Sequence, residues 1–275
     1  MIIDTHVHVW VEHCAKYPHH RVTPLPAFPV EELLSLMEDT NVYHAVLIQP
    51  SLYGYDNAYI ADCINRYPDQ LIGVGVVDVR SEDVSGQLRY WVEERGLRGI
   101  RLMPITDPCN DLLNGQGAHE IFDQAATLGI TISLFIAPRH ILQVKELIYE
   151  YPDTKVIIEH LGRPDDCGDG LEDAVQPLLQ LANVPSVHVK LSGFHVISSE
   201  TYPYSDTYPI IQAVWNAFGS RRIIWGSDVP GVLKKCTYHE ILQFVQEKLV
   251  FLSGEDRDRI LFGNARTLWG ISDVT

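Results

Sequence analysis

The segment MIIDTHVHVW, residues 1–10, governs how the rest of the chain is read. Ile2, Ile3, Val7 and Val9 make an apolar, β-prone run, yet Asp4, His6 and His8 interrupt it at every second position. Side chains at i, i+2 and i+4 of a strand point to the same side. The pattern therefore predicts a carboxylate and two imidazoles converging on one face. A solvated strand face would satisfy the same pattern, so the choice depends on what other strands bring to that place.

Seven more apolar runs follow: AVLIQ at 45–49, IGVGVV at 72–77, GIRLM at 99–103, TISLF at 131–135, KVIIEH at 155–160, VHVKLS at 187–192 and IIWGSD at 223–228. With IIDTHV at 2–7 they make eight, their starts 24 to 43 residues apart, room for a strand, a helix and two loops each. The intervals carry helical stripes, such as Val30, Leu33, Leu34 and Met37, and Ile141, Val144, Leu147 and Ile148. Pro68, Gly96, Gly129, Pro152 and Gly219 punctuate them. Strands apolar on both faces require helices on both sides of a parallel sheet or around a barrel. The expectation is a single-domain α/β protein, a (β/α)8 TIM barrel over residues 1–275. An open doubly wound sheet is disfavoured, because no GxGxxG follows the first strand. The longest irregular segments, 10–29 and 104–117, begin where strands end and are expected to wall the active face.

Bulk properties narrow the function. The 275 residues are 46% hydrophobic and 21% charged, ordinary for a protein with a large core. A net charge of -15 and the lack of a basic patch argue against nucleic acid and anionic membrane as partners. No apolar run spans a bilayer, and Asp4 and His6 break any leader-like N-terminus. Cys14, Cys63, Cys109, Cys167 and Cys236 are odd in number and lack CxxC spacing, which fits reduced thiols in the cytosol. A small molecule is the expected partner, and a homo-oligomer is left open.

Barrel enzymes place their chemistry at the C-terminal ends of strands. His6 and His8 end the first run, His160 ends the sixth and Asp228 the eighth, before a Pro230-Gly231 turn; Arg101 sits inside the fourth. A strand-end Asp can instead cap a helix, and a strand-end His can be a surface residue. Four at one end of one barrel point to a shared site. Three imidazoles and a carboxylate suit one divalent ion, zinc first, with manganese or iron as alternatives.

The pieces DTHVH, GIRLMP, IEHLGRP, VKLSGF, WGSDVP and ILFGNARTLW, in this order from residue 2 to about 269, resemble the amidohydrolase superfamily. More narrowly they resemble its amidohydrolase-2 type, with sugar lactonases, pyrone-dicarboxylate lactonase and metal-dependent decarboxylases. The resemblance implies a catalytic centre of His6, His8, His160 and Asp228. Arg101 stands where binuclear members carry a bridging lysine, which implies at most one metal, and the branch includes lactonases that work without any.

The reaction expected is hydrolysis of a small cyclic ester, the lactone of a sugar acid or of an aromatic-degradation product. Asp228 would take a proton from the attacking water and pass it to the leaving oxygen. A metal held by His6, His8, His160 and Asp228 would polarise the carbonyl and acidify the water; without it, His160 and the HxH pair would polarise the carbonyl. For an anionic or polyhydroxylated substrate, Arg101 suits a carboxylate, or else an interior salt bridge. Arg163 is a second anion anchor or a loop charge. In QPSLYGYDN, Ser51, Tyr53, Tyr55 and Asn57 read as a hydroxyl-rich wall or as a helix start capped by Asp56. Lys190 and His195 face the pocket, or Lys190 is a buried ion-pair partner. The segment 201–209 reads as a lid or as plain turns. The alternatives are a decarboxylase, a lactone isomerase and, least favoured by an ordered His/His/His/Asp set, a non-catalytic sugar-acid binding protein.

Overall fold

The computed structural model describes residues 1–21, 26–168 and 170–272; residues 22–25, inside the expected 10–29 wall, lie outside it. Eight parallel strands follow one another in sequence order: β1 (Ile3–Val7), β2 (His44–Ile48), β3 (Leu71–Gly75), β4 (Gly99–Leu102), β5 (Thr131–Leu134), β6 (Lys155–Ile158), β7 (Val187–Leu191) and β8 (Ile223–Trp225). Helices stand between them, including the two read from sequence stripes, Val30–Thr40 and Ile141–Glu150. In the second, Ile141, Val144, Leu147 and Ile148 are all buried; in the first, Leu34 alone of the stripe is only half-buried. Among the described residues no helix is long and apolar enough to cross a membrane. Cys14, Cys63, Cys109 and Cys236 are free thiols.

The core divides as a barrel requires. Ile3, Val46, Ile48, Ile72, Val74, Ile157 and Ile224 pack together inside the ring of strands, closed below by Leu268 and Trp269 of the helix Asn264–Trp269. Outward residues such as Val7, Ala45, Leu47 and Leu102 pack with the helices instead. Each strand is buried on both sides, which explains the continuous apolar runs.

β1 departs from strict alternation. Its register against β2 shifts between Asp4, opposite Ala45, and Val7, opposite Leu47: three steps on one strand against two on the other. This bulge turns the strand over. Ile3 joins the interior cluster, whereas Val7, four residues on, joins the outer one. Asp4 consequently does not share a face with the two histidines, and the expected three-way convergence is corrected to two. Its carboxylate is buried beneath the helix Tyr238–Gln243 and ties three partners together. Oδ1 accepts from the Ser227 N–H at 2.9 Å and the His6 N–H at 3.1 Å, and Oδ2 accepts from the Tyr238 hydroxyl at 2.8 Å.

The seam between β8 and β1 closes the ring with few bonds. β8 ends at Trp225, earlier than the 223–228 expected. Beyond it, the Asp228 N–H donates to His6 O at 2.9 Å and the His8 N–H donates to Val229 O at 2.8 Å. The Thr5 hydroxyl donates to Trp225 O at 2.6 Å. Gly226 permits the approach: a Cβ there would lie 2.6 Å from His6 Cβ.

Removing the Asp4 carboxylate would strand three buried donors, each costing roughly 1–3 kcal/mol when unpaired. Asp4→Ala is expected to lower unfolding stability in urea by about 3 kcal/mol or more, and Asp4→Asn by less. A loss below about 1 kcal/mol for Asp4→Ala would contradict this account of the seam.

Candidate active site

The seam sets Asp228 opposite the HxH pair. Asp228 sits in the left-handed region at φ 65, and His160 at φ 50. Such conformations cost a non-glycine residue on the order of 1–3 kcal/mol and persist where surrounding structure enforces them. Asp228 Oδ1 is 3.7 Å from His6 Nε2 and 3.6 Å from His8 Nε2, and the two imidazole nitrogens are 3.2 Å apart. Burial, reinforced by Glu159 and Asp4 against the pull of Arg101, pushes the Asp228 carboxyl up to about 7. A carboxylate so placed is poised to exchange a proton near neutrality. His195 Nε2 stands 3.9 Å from Asp228 Oδ2, and burial lowers that imidazole to about 4.

His160 begins a tight turn after β6. Its Nδ1 is 2.8 Å from Ser192 Oγ, and its ring centroid is 4.5 Å from that of His6. Burial, then the charges of Arg101 and Lys190, holds it well below the ordinary imidazole range. Gly193, at φ 71, makes room for the ring, since a Cβ there would lie 2.6 Å from His160 Nδ1.

Beneath these groups lies a charged layer. Glu159 is fully buried, and its Oε2 accepts from Arg101 Nε at 2.9 Å and Nη2 at 2.7 Å. Among the described residues its Oε1 has no hydrogen-bond partner, and it faces His6 Nδ1 at 3.8 Å. Lys190, fully buried, donates to Thr5 O at 2.8 Å and approaches His6 Nδ1 at 3.2 Å; burial lowers its ammonium to about 8. Glu159 was missed in the sequence, although an acid ending the apolar run KVII, one residue before a candidate ligand, is a readable signal of a buried ion pair.

His8, His160, Asp228, Arg101 and Arg163 border one cavity of about 410 Å³, with Trp10, Arg21 and Phe135 among its walls. A neighbouring cavity of about 260 Å³ shares Arg21, Ser51 and Arg101 and reaches Tyr55 and Arg80. Arg163 pairs with Asp165 at 2.8 and 2.6 Å and lies over the Phe135 ring. Arg101 both borders the cavity and forms the interior ion pair.

Two expected wall residues, and one residue expected to face the pocket, are placed elsewhere. Asn57 is fully buried, its amide satisfied by Val76 N, Val76 O and Tyr55 O, so it fastens β3 to the loop before the helix Ala58–Arg66. Tyr53 is buried and accepts from the Val11 N–H. Lys190 is buried under His6 rather than facing the pocket. Polar side chains in a loop after a strand read alike whether they face a ligand or their own backbone, which is why the spacing misled. The 201–209 segment borders neither cavity and is anchored by buried Tyr204 against Phe244.

The four expected ligands divide into two groups that share His6. His6, His8 and Asp228 form one, and His6, Glu159 and His160 the other. The edges of the first, 3.2, 3.6 and 3.7 Å, are near the ~3.3 Å that separates ligand atoms around tetrahedral zinc. The donor atoms fit a divalent ion.

A family model described as Amidohydrolase matches residues 3–271. The chain belongs to the amidohydrolase family. It is an enzyme of this hydrolase group. Among its amidohydrolase relatives, 4-sulfomuconolactone hydrolase of Rhizobium radiobacter is 28% identical over 229 residues, 82% of this chain and 75% of the relative. L-fucono-1,5-lactonase of Burkholderia ambifaria is 26% identical, covering 83% and 80%. The crystal structure of a probable 2-pyrone-4,6-dicarboxylic acid hydrolase from Acinetobacter baumannii, with citric acid bound, superimposes with a TM-score of 0.82 at 26% identity, covering 98% of this chain and 99% of that one.

The contact at Gly193 yields a test. Gly193→Ala would push the His160 ring and strain a left-handed backbone, and a displacement of about 1 Å can cost ~10²-fold in rate. Turnover is expected to fall at least ~10-fold, with the strained backbone lowering the melting temperature by a few degrees in a variant that still folds. Wild-type turnover in a folded Gly193→Ala would separate His160 from the chemistry.

Proposed function

We propose that this amidohydrolase is a lactone hydrolase, that residues 1–275 act as one barrel domain, and that Asp228 is the base that activates the attacking water. The observation that carries the reading is that Asp228, its carboxyl pushed up to about 7 by burial, stands beside the HxH pair and borders the cavity together with His8. The eight-stranded sheet and the match over 3–271 support the domain assignment. Three relatives that carry lactone or pyrone hydrolysis in their names support the reaction class.

The cavity volume is that of a small-molecule site. Arg21, Arg101 and Arg163 on its walls favour an anionic lactone. Arg101 and Arg163 each already serve a carboxylate through Nε and Nη2, Glu159 and Asp165 respectively, so each would meet an anionic substrate with its remaining terminal nitrogen.

The water stands between Asp228 and the carbonyl carbon. As its oxygen forms the new bond, its proton passes to Asp228. The tetrahedral intermediate then breaks its bond to the ring oxygen, and Asp228 returns the proton to that oxygen. The ring opens to a hydroxy acid, whose carboxyl ionises and releases one proton. A divalent ion, when bound, would be held by His6, His8 and Asp228 with His160 and Glu159 adjacent, and would supply Lewis acidity to the carbonyl and the water. His160 faces the cavity and is held by Ser192, which supports a role for it in polarising the carbonyl oxygen.

The test is a panel of sugar-acid and dicarboxylate lactones in weak buffer, read as proton release. Asp228→Asn keeps the shape of the side chain but cannot accept a proton. Its kcat is expected to fall by ~10²–10⁴ with little change in product affinity, metal content being measured on the same sample. Near-wild-type kcat in a variant of unchanged metal content would remove Asp228 from the role. Carbon dioxide evolution with proton uptake would assign the site to decarboxylation.

A further inference from the structure

The three histidines of the site are not wired alike. A histidine that binds metal through one nitrogen donates its other N–H to an acceptor. His8 meets that rule, because its Nδ1 is 2.8 Å from Ile48 O, which can only accept. His160 meets it through Ser192 Oγ, which accepts as readily as it donates. His6 does not: the group at hydrogen-bond distance from its Nδ1 is the Nζ of Lys190, at 3.2 Å.

The proton positions follow from the carbonyl end. Ile48 O requires the proton of neutral His8 to be on Nδ1, leaving His8 Nε2 bare. That bare nitrogen is 3.2 Å from His6 Nε2, so His6 must be the donor in this contact. A neutral His6 with its proton on Nε2 has a bare Nδ1, which needs a donor, and Lys190 provides it. Every link of the row from Lys190 through His6 and His8 to Ile48 O is thus filled in one direction.

We propose that Lys190 is a positioning residue that holds the proton on His6 Nε2 and thereby sets how tightly this site takes a divalent metal. The two nitrogens that fit an ion are bound to each other through that proton. To free them, the proton must move to Nδ1, where the acceptor available is Glu159 Oε1, at 3.8 Å and, among the described residues, without a hydrogen-bond partner. The ring therefore has two settings with the same number of protons. In one, Lys190 donates to Nδ1 and the HxH pair is closed on itself; in the other, Nδ1–H donates to Glu159 and Nε2 is free for metal. This rests on the placement of the active centre at His6, His8 and Asp228, and on no particular substrate.

Two measurements on the full chain test it without an assay of turnover. The first is the ¹⁵N NMR spectrum of histidine-labelled, metal-free protein, with His6 assigned by its loss in His6→Gln. The expected His6 signature is the neutral ring protonated on Nε2; a ring protonated on Nδ1, or an imidazolium, overturns the proposal. The second is zinc affinity by chelator competition in folded Lys190→Met and Lys190→Arg. Lys190→Met is expected to bind zinc ~10- to 100-fold more tightly than wild type, and Lys190→Arg, which keeps a donor, to stay close to wild type. Equal or weaker binding by Lys190→Met would make Lys190 merely structural and overturn the proposal. Should Lys190→Met not fold, the wild-type spectrum decides alone. A failed lactone panel would leave both readouts standing, so the two proposals fail separately.

Discussion

The Asp4 carboxylate is the constraint on which the site depends. It holds the N–H of His6 on β1 and the N–H of Ser227 after β8, and is itself held from outside the ring by Tyr238. Without it, the eighth strand would meet the first through a handful of bonds at a seam already loosened by a bulge. With it, His6 and Asp228 are each fixed two or fewer residues from one buried anion. Burial raises the Asp4 carboxyl above its ordinary value while the bonds from Ser227, His6 and Tyr238 work against that rise. That opposition suits a carboxylate whose role is to accept and stay in place.

The seam explains why the chemistry gathers where it does. A bulge that turns β1 over brings both histidines inward and sends Asp4 outward. The backbone bonds that follow, from Asp228 to His6 and from His8 to Val229, then place a carboxylate within 4 Å of two imidazoles. Below this plane, Arg101, Glu159 and Lys190 bring two cations and one anion into the barrel. Burial is the main cause that depresses His160 and raises Asp228; the layer's two cations deepen the first shift and oppose the second, while Glu159 adds to the rise of Asp228.

The barrel was legible because its signal is repeated eight times and each strand is buried on both faces. The ends of the strands were legible as well: His6, His8, His160 and Asp228 are polar where hydrophobic burial offers no reason for them. What escaped was whatever depends on contacts distant in sequence. The bulge leaves no mark in the pattern DTHVH, which reads as regular alternation. Glu159 shows its role only opposite Arg101, 58 residues away. Asn57 and Tyr53 looked like a ligand wall because a side chain that satisfies its own backbone has the same composition as one that faces a sugar. Lys190 was visible as a polar interruption of VHVKLS, but its place beneath His6 is a property of the closed ring.

The central claim is that water, activated at Asp228, opens a lactone at its acyl carbon. The most direct measurement is turnover of the best lactone of the panel in ¹⁸O-enriched water, with the product analysed by mass spectrometry. One ¹⁸O atom is expected in the new carboxylate and none in the new hydroxyl. Label in the hydroxyl, or an unlabelled product formed by isomerisation or loss of carbon dioxide, would contradict it.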